Sequence, residues 1–197
     1  MREMTGIDRR LDRAKPVEEG AVASVARQGF IWGLLRLALG WTFLWAFLDK
    51  LLALGFATGR NPETGRIDFF GPDAWINSGS PTGGFLEFGT KGPFAEFFQG
   101  LAGAFWVDWV YMLSMLGLGV ALILGIGVRL AGIAGAIWMG LFYAAGFIWP
   151  QNNPLVDNHV IYAIVLLGIA HVGAGRWLGL GGWWSRTRLV RRFPILQ

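Results

Sequence analysis

The twenty residues from Leu130 to Trp149 read LAGIAGAIWMGLFYAAGFIW, with no ionisable acid or base apart from Tyr143. An apolar run of about 20 residues is what an α-helix needs to cross the hydrocarbon core of a bilayer. Three more apolar runs surround it. The first extends from about Phe30 to Phe56 and is interrupted by Arg36 and by Asp49-Lys50. Another runs from about Trp106 to Gly127, with Asp108 near its start, and the last from about Val156 to Leu178, holding His159, His171 and Arg176. The pattern predicts an all-α integral membrane protein, a four-helix bundle with spans at about residues 30–56, 106–127, 130–149 and 156–178. Spans two and three meet at Gly127-Val128-Arg129, which predicts a tight helical hairpin.

Composition agrees. Of 197 residues, 54% are hydrophobic and 15% charged, against about 25% charged in a soluble domain. So much apolar surface excludes a disordered chain. The absence of Cys excludes disulfides, iron–sulfur clusters and a thiol relay of the chain's own. The net charge of +4 is no argument for nucleic acid, because the basic residues gather at the two ends.

That gathering sets an expected orientation, since short cytoplasmic segments are rich in Lys and Arg. Residues 1–28 hold Arg2, Arg9, Arg10, Arg13, Lys15 and Arg27, and form the expected cytoplasmic N-terminal segment. The tail, residues 179–197, holds Arg186, Arg188, Arg191 and Arg192, while the loop Pro150 to Leu155 has no basic residue. Both termini are therefore expected in the cytoplasm, with the protein in the inner (plasma) membrane. Span one is too long and too charged for a cleaved signal.

The outer loop, residues 57–105, begins turn-rich. From Pro93, with Phe94, Phe97, Phe98 and Leu101 at helical spacing, it predicts a short extracytoplasmic amphipathic helix. Small residues at Gly117, Ala121 and Gly125 in span two, and at Gly132, Ala136 and Gly140 in span three, predict close helix contact.

Charges at bilayer depth are costly and usually face the bundle interior. Arg36, Gly40, Phe43, Phe47 and Lys50 share one face of span one, and Asp157, Ile161, Ile164, Gly168 and His171 share one face of span four. If these faces meet, Lys50 comes level with Asp157 and Arg36 with His171. Arg36 has no carboxylate at its own depth, so its donors must find backbone carbonyls, water, lipid phosphate, Ser114 or a ligand carbonyl, or reach the head groups. The expected pocket is thus Arg36, Lys50, Asp157 and His171, with Asp49, Asp108, His159 and Ser114 as secondary polar residues. Asp49 and Asp108 are expected near the outer surface, solvated or paired with Lys50. His159 and His171 lie too far apart on one helix to share a metal, so an intrinsic metal or haem is not expected.

The stretch Leu35-Arg36-Leu37-Ala38-Leu39-Gly40-Trp41-Thr42-Phe43-Leu44, with Asp49-Lys50-Leu51, resembles the opening span of DoxX/DoxD-like membrane proteins. The loop segments Trp75-Ile76-Asn77-Ser78-Gly79-Ser80-Pro81-Thr82 and Thr90-Lys91-Gly92-Pro93-Phe94 resemble the longer DoxD-type members, as does Asn152-Asn153-Pro154-Leu155-Val156-Asp157-Asn158-His159. The resemblance covers about residues 29–178. It implies the large membrane subunit of a thiosulfate:quinone oxidoreductase, in which thiosulfate is oxidised to tetrathionate and a quinone is reduced, together with a partner redox subunit. Two functions are therefore carried forward: a quinone-linked oxidoreductase subunit, and a non-catalytic scaffold or assembly subunit of a membrane redox or stress-response complex. A transporter ranks below both, because no matching pair of interrupted helices is present.

Overall fold

The computed structural model describes residues 4–150 and 153–196, with side chains described from residue 27 onward. The basic side chains of Arg2, Arg9, Arg10, Arg13 and Lys15, and Asn152 of the family-like segment, lie outside that description. Seven α-helices follow in chain order: α1 (Met4–Leu52), α2 (Ala95–Gln99), α3 (Phe105–Leu124), α4 (Val128–Phe142), α5 (Asn158–Val172), α6 (Gly181–Trp184) and α7 (Arg188–Arg192). Among the described residues there is no strand, only an isolated bridge between Arg60 and Ile67.

Three stretches are long and apolar enough to cross a membrane: Arg27–Leu52, Phe105–Leu124 and Val128–Phe147, the last being α4 continued by a π-helical turn. The fourth expected span, 156–178, is shorter than its apolar run. Its helix, α5, has 15 residues. Asp157 caps one end with its carboxylate, and Gly173 closes the other at φ +61°, a left-handed conformation that glycine adopts without a Cβ penalty.

The principal contacts pair α1 with α3 and α4 with α5. Their shared core holds Leu39, Phe43, Met112, Met115, Leu122, Leu166 and Ile169. The predicted inward face of α1 is inward: Arg36, Gly40 and Phe43 are buried. The matching expectation for α5 fails. Ile161 and Ile164 are 52% and 65% exposed, and the buried face is instead Leu166, Ile169 and Ala170. Together with Phe30, Ile31, Leu34, Leu113, Val120, Ile133 and Ile137, the exposed side of α5 completes an apolar belt of the kind that meets lipid rather than water.

The small-residue expectation is half right. Gly132 packs on the backbone of Leu166, but Gly117 and Gly140 face open space. Close helix contact is made by Gly119 against Leu44 and by Gly40 against Leu122 and Ile123.

The bundle has two unlike ends. At the tail end, the α3–α4 hairpin turns through Gly125 and Gly127, at φ +74° and +61°. The chain after α5 folds back there, with the Leu180 amide donating to the Leu124 carbonyl (2.8 Å) and the Trp184 indole to the Leu196 carbonyl (2.5 Å). At the lid end, residues 53–104 form the cover. The expected amphipathic helix is present but begins at Ala95, two residues after Pro93, and is only five residues long. A π-helical turn at Phe85–Gly89, which the spacing does not predict, packs beside it.

Candidate functional site

The polar groups at the tail end are closed on themselves. A helix leaves its last four carbonyls without intrahelical donors, and they carry the negative end of its dipole. Arg36, with no exposed surface, supplies what α3 lacks. Its Nη1 donates to the carbonyls of Leu122 and Ile123, and its Nη2 to those of Trp177 (3.1 Å) and Leu178 (2.9 Å). Only its Nε is buried without a partner. One guanidinium thus ties α1 to the end of α3 and to the return after α5. Glycines make this possible. A Cβ on Gly175 would stand 2.4 Å from the Gly125 carbonyl oxygen, and one on Gly179 would stand 2.9 Å from Arg36 Nη2. His171 is exposed and does not bond Arg36, and Ser114 lines a separate groove between α3 and α4. The expected Arg36–His171 pairing is absent because α5 turns a different face inward.

At the lid end, three carboxylates hold the cover and a helix terminus. Asp49, nearly buried, accepts from the amides of Phe56 (3.1 Å) and Ala57 (2.8 Å), fixing the chain as it leaves α1. Asp108 accepts from the Thr82 amide (3.2 Å), the Thr82 hydroxyl (2.5 Å) and the Ser80 hydroxyl (3.0 Å), fixing the loop to α3. The Lys91 amide donates to the Ala145 carbonyl (2.9 Å), fixing it to the end of α4. Asp157 Oδ1 accepts from the amides of His159 (3.0 Å) and Val160 (3.2 Å), as a helix N-cap does.

Lys50 receives none of these carboxylates. Among the described residues the one ion pair within 4.0 Å joins His159 to Asp157. The expected Lys50–Asp157 pair is absent because the Asp157 carboxylate is engaged by its own helix. Lys50 instead lines a cavity of about 470 Å³ under the lid, between α1, α3 and the end of α4. Its walls are Phe85, Phe97, Phe98, Tyr111, Trp138 and other apolar side chains, and Lys50 is the one charged residue among them.

A second cavity of about 320 Å³ lies beyond a wall of Phe85, Tyr111 and Phe142 that both cavities share. It is lined by Phe43, Met115 and Met139, with Asn158, His159 and Tyr162 as its polar edge. His159 Nδ1 lies 2.6 Å from Asp157 Oδ2, and its ring stacks on Phe147 with centroids 4.4 Å apart. A carboxylate that accepts from Nδ1 leaves Nε2 as the second hydrogen-bonding position of the ring. The dyad lies at the polar edge of this apolar chamber.

Of the four expected pocket residues, the structure brings no two together. It separates Arg36 and Lys50 to the two bundle ends, places Asp157 in a cap and leaves His171 exposed. Of the secondary residues, His159 lines a cavity, and Asp108 pins the loop segment from which Pro81 and Thr82 line the larger one. Sequence reasoning missed Tyr111, Phe85 and Phe142. Tyr111 stands three residues after Asp108, on the same helix face, which was the available signal.

No protein-family model, curated protein or solved structure matches this chain. What the fold and the cavities define, among the described residues, is a helical protein with three helices long and apolar enough to cross a membrane and two neighbouring apolar chambers that share a wall.

Proposed function

We propose that this chain is an integral membrane subunit that binds a quinone-type redox lipid, with its head in the chamber edged by Asn158, His159 and Tyr162. In this reading α5 is a fourth span, short because it ends at Gly173, and the four helices form a bundle in the plasma membrane. The belt on α5 and the pairing of α4 with α5 support that. Both termini are placed in the cytoplasm by the Lys/Arg distribution, and the lid then faces outward.

The observation that carries the reading is the Asp157–His159 dyad on an apolar chamber with an aromatic and methionine lining. A quinone, when bound, accepts two electrons and two protons. Asp157 orients the His159 ring so that, with Nδ1 protonated, Nε2 accepts from a quinol hydroxyl and, in the doubly protonated ring, donates to a quinone carbonyl. Asn158 and Tyr162 supply further polar contacts at the same edge. The Thr42 hydroxyl, on the same wall, is engaged with the Ala38 carbonyl at 3.0 Å. Electrons would come from a partner redox subunit or, as the DoxD resemblance implies, from thiosulfate, two of which yield tetrathionate and two electrons. The test is binding of a short-chain quinone to the purified full chain by calorimetry. His159→Leu is expected to weaken it by about tenfold, the worth of one good polar contact. A quinone that does not bind, or that binds wild type and His159→Leu equally, ends the reading.

A further inference from the structure

The other chamber has its own chemistry. A cation that lines an apolar cavity needs a compensating anion, because an uncompensated charge in low dielectric is strongly unfavourable. Among the described residues no carboxylate pairs with Lys50 within 4.0 Å, and its charge is favoured at longer range by the adjacent Asp49. Of the acidic groups at this end, Asp49 accepts from the Phe56 and Ala57 amides, Asp108 accepts from Ser80 and Thr82, and Glu87 and Glu96 are exposed. The cavity, about 470 Å³, is within the range of ligand sites, roughly 300–1,000 Å³. Apart from Lys50, Thr82, the Tyr111 phenol and the indole N–H groups of Trp106 and Trp138, its lining is hydrocarbon, proline and aromatic ring. The α2 helix supplies the roof through Phe97 and Phe98.

We propose that this cavity binds a single-chain anionic amphiphile of the fatty-carboxylate class, its head on Lys50 Nζ and its chain along Phe97, Val107 and Trp138. Charge complementarity selects the anion, and the apolar walls select the tail. A compact hydrophilic anion would exchange its hydration for largely apolar walls and one cationic group. A neutral lipid would leave Lys50 without a direct ion pair. The site is distinct from the quinone chamber, and the inference does not rest on the quinone reading.

The test uses the full chain in discs of zwitterionic lipid. Displacement of dansyl-labelled undecanoate is read after correction for uptake by protein-free discs. Dodecanoate is expected to displace the probe at least about tenfold better than dodecanol, which has the same tail and no charge. Lys50→Gln removes that preference and leaves dodecanol unchanged, whereas Lys50→Arg keeps it. Val107→Trp, which fills the chamber, lowers binding of both. Equal binding of dodecanoate and dodecanol by wild type overturns the proposal without any variant. So does displacement by thiosulfate as effective as by dodecanoate, or loss of dodecanoate binding in His159→Leu with Lys50→Gln unaffected. Failure of the quinone reading shows only in quinone binding, and failure of this one only in the carboxylate preference.

Discussion

Arg36 and Lys50 stand on one face of one helix, 14 residues apart, and meet opposite fates. Arg36 is sealed among four carbonyls from the end of α3 and from the return after α5. Lys50 lines an apolar chamber under the lid, with no carboxylate within 4.0 Å of it among the described residues. The difference is chemical before it is functional. A planar guanidinium presents five donors in a fixed fork and can bridge two pairs of acceptors, whereas a Lys ammonium is a compact point charge on a flexible stem. The tail end uses its cation as a structural tie. The lid end leaves its cation on an apolar cavity wall with no direct ion pair among the described residues.

The comparison can be broken most directly at Arg36. Arg36→Ala strips charged donors from four carbonyls, and hydrogen bonds to charged groups are worth about 1.5–3 kcal/mol each. A loss of about 4 kcal/mol or more is expected, read as a large fall in the thermal unfolding midpoint in detergent. Arg36→Lys should recover only part of it. Retention of full stability in Arg36→Ala would deny the tie.

Next in size is the glycine junction that lets the carbonyls converge. Gly175→Ala places a methyl group 2.4 Å from the Gly125 carbonyl oxygen, and overpacking of this kind costs about 1–3 kcal/mol. An unchanged unfolding midpoint would mean that the junction has room to relax.

At the lid end, Asp108→Ala removes the acceptor of the Thr82 amide and of the Ser80 and Thr82 hydroxyls. The expected cost is roughly 1–3 kcal/mol, concentrated in the loop. Faster proteolysis between residues 53 and 104, with little change in global unfolding, is the expected pattern. A global collapse instead would make the lid part of the core.

The smallest stability effect belongs to Lys50. Lys50→Met removes a charge that has no direct ion pair from an apolar wall and should leave stability within about 0.5 kcal/mol or raise it. A loss as large as that of Arg36→Ala would erase the distinction between the two ends.

The apolar periodicity of the chain determined the helical class, the helices long enough to cross a membrane and the inward face of α1, because burial and helix length are local consequences of 3.6-residue spacing. The glycines at the α3–α4 hairpin were also readable, since a turn of that tightness requires left-handed backbone. Partner choice was not readable. Whether Arg36 meets His171 or carbonyls depends on the rotation of α5 about its axis, and that rotation is set by packing of Leu166, Ile169 and Ala170 against α4. The Asp157–His159 contact spans two residues and was within reach of sequence, yet the cavity it faces is built from α1, α3, α4 and α5 together. Charge and hydrophobicity are written residue by residue, while cavities and orphaned donors are properties of how separate helices fill the same space.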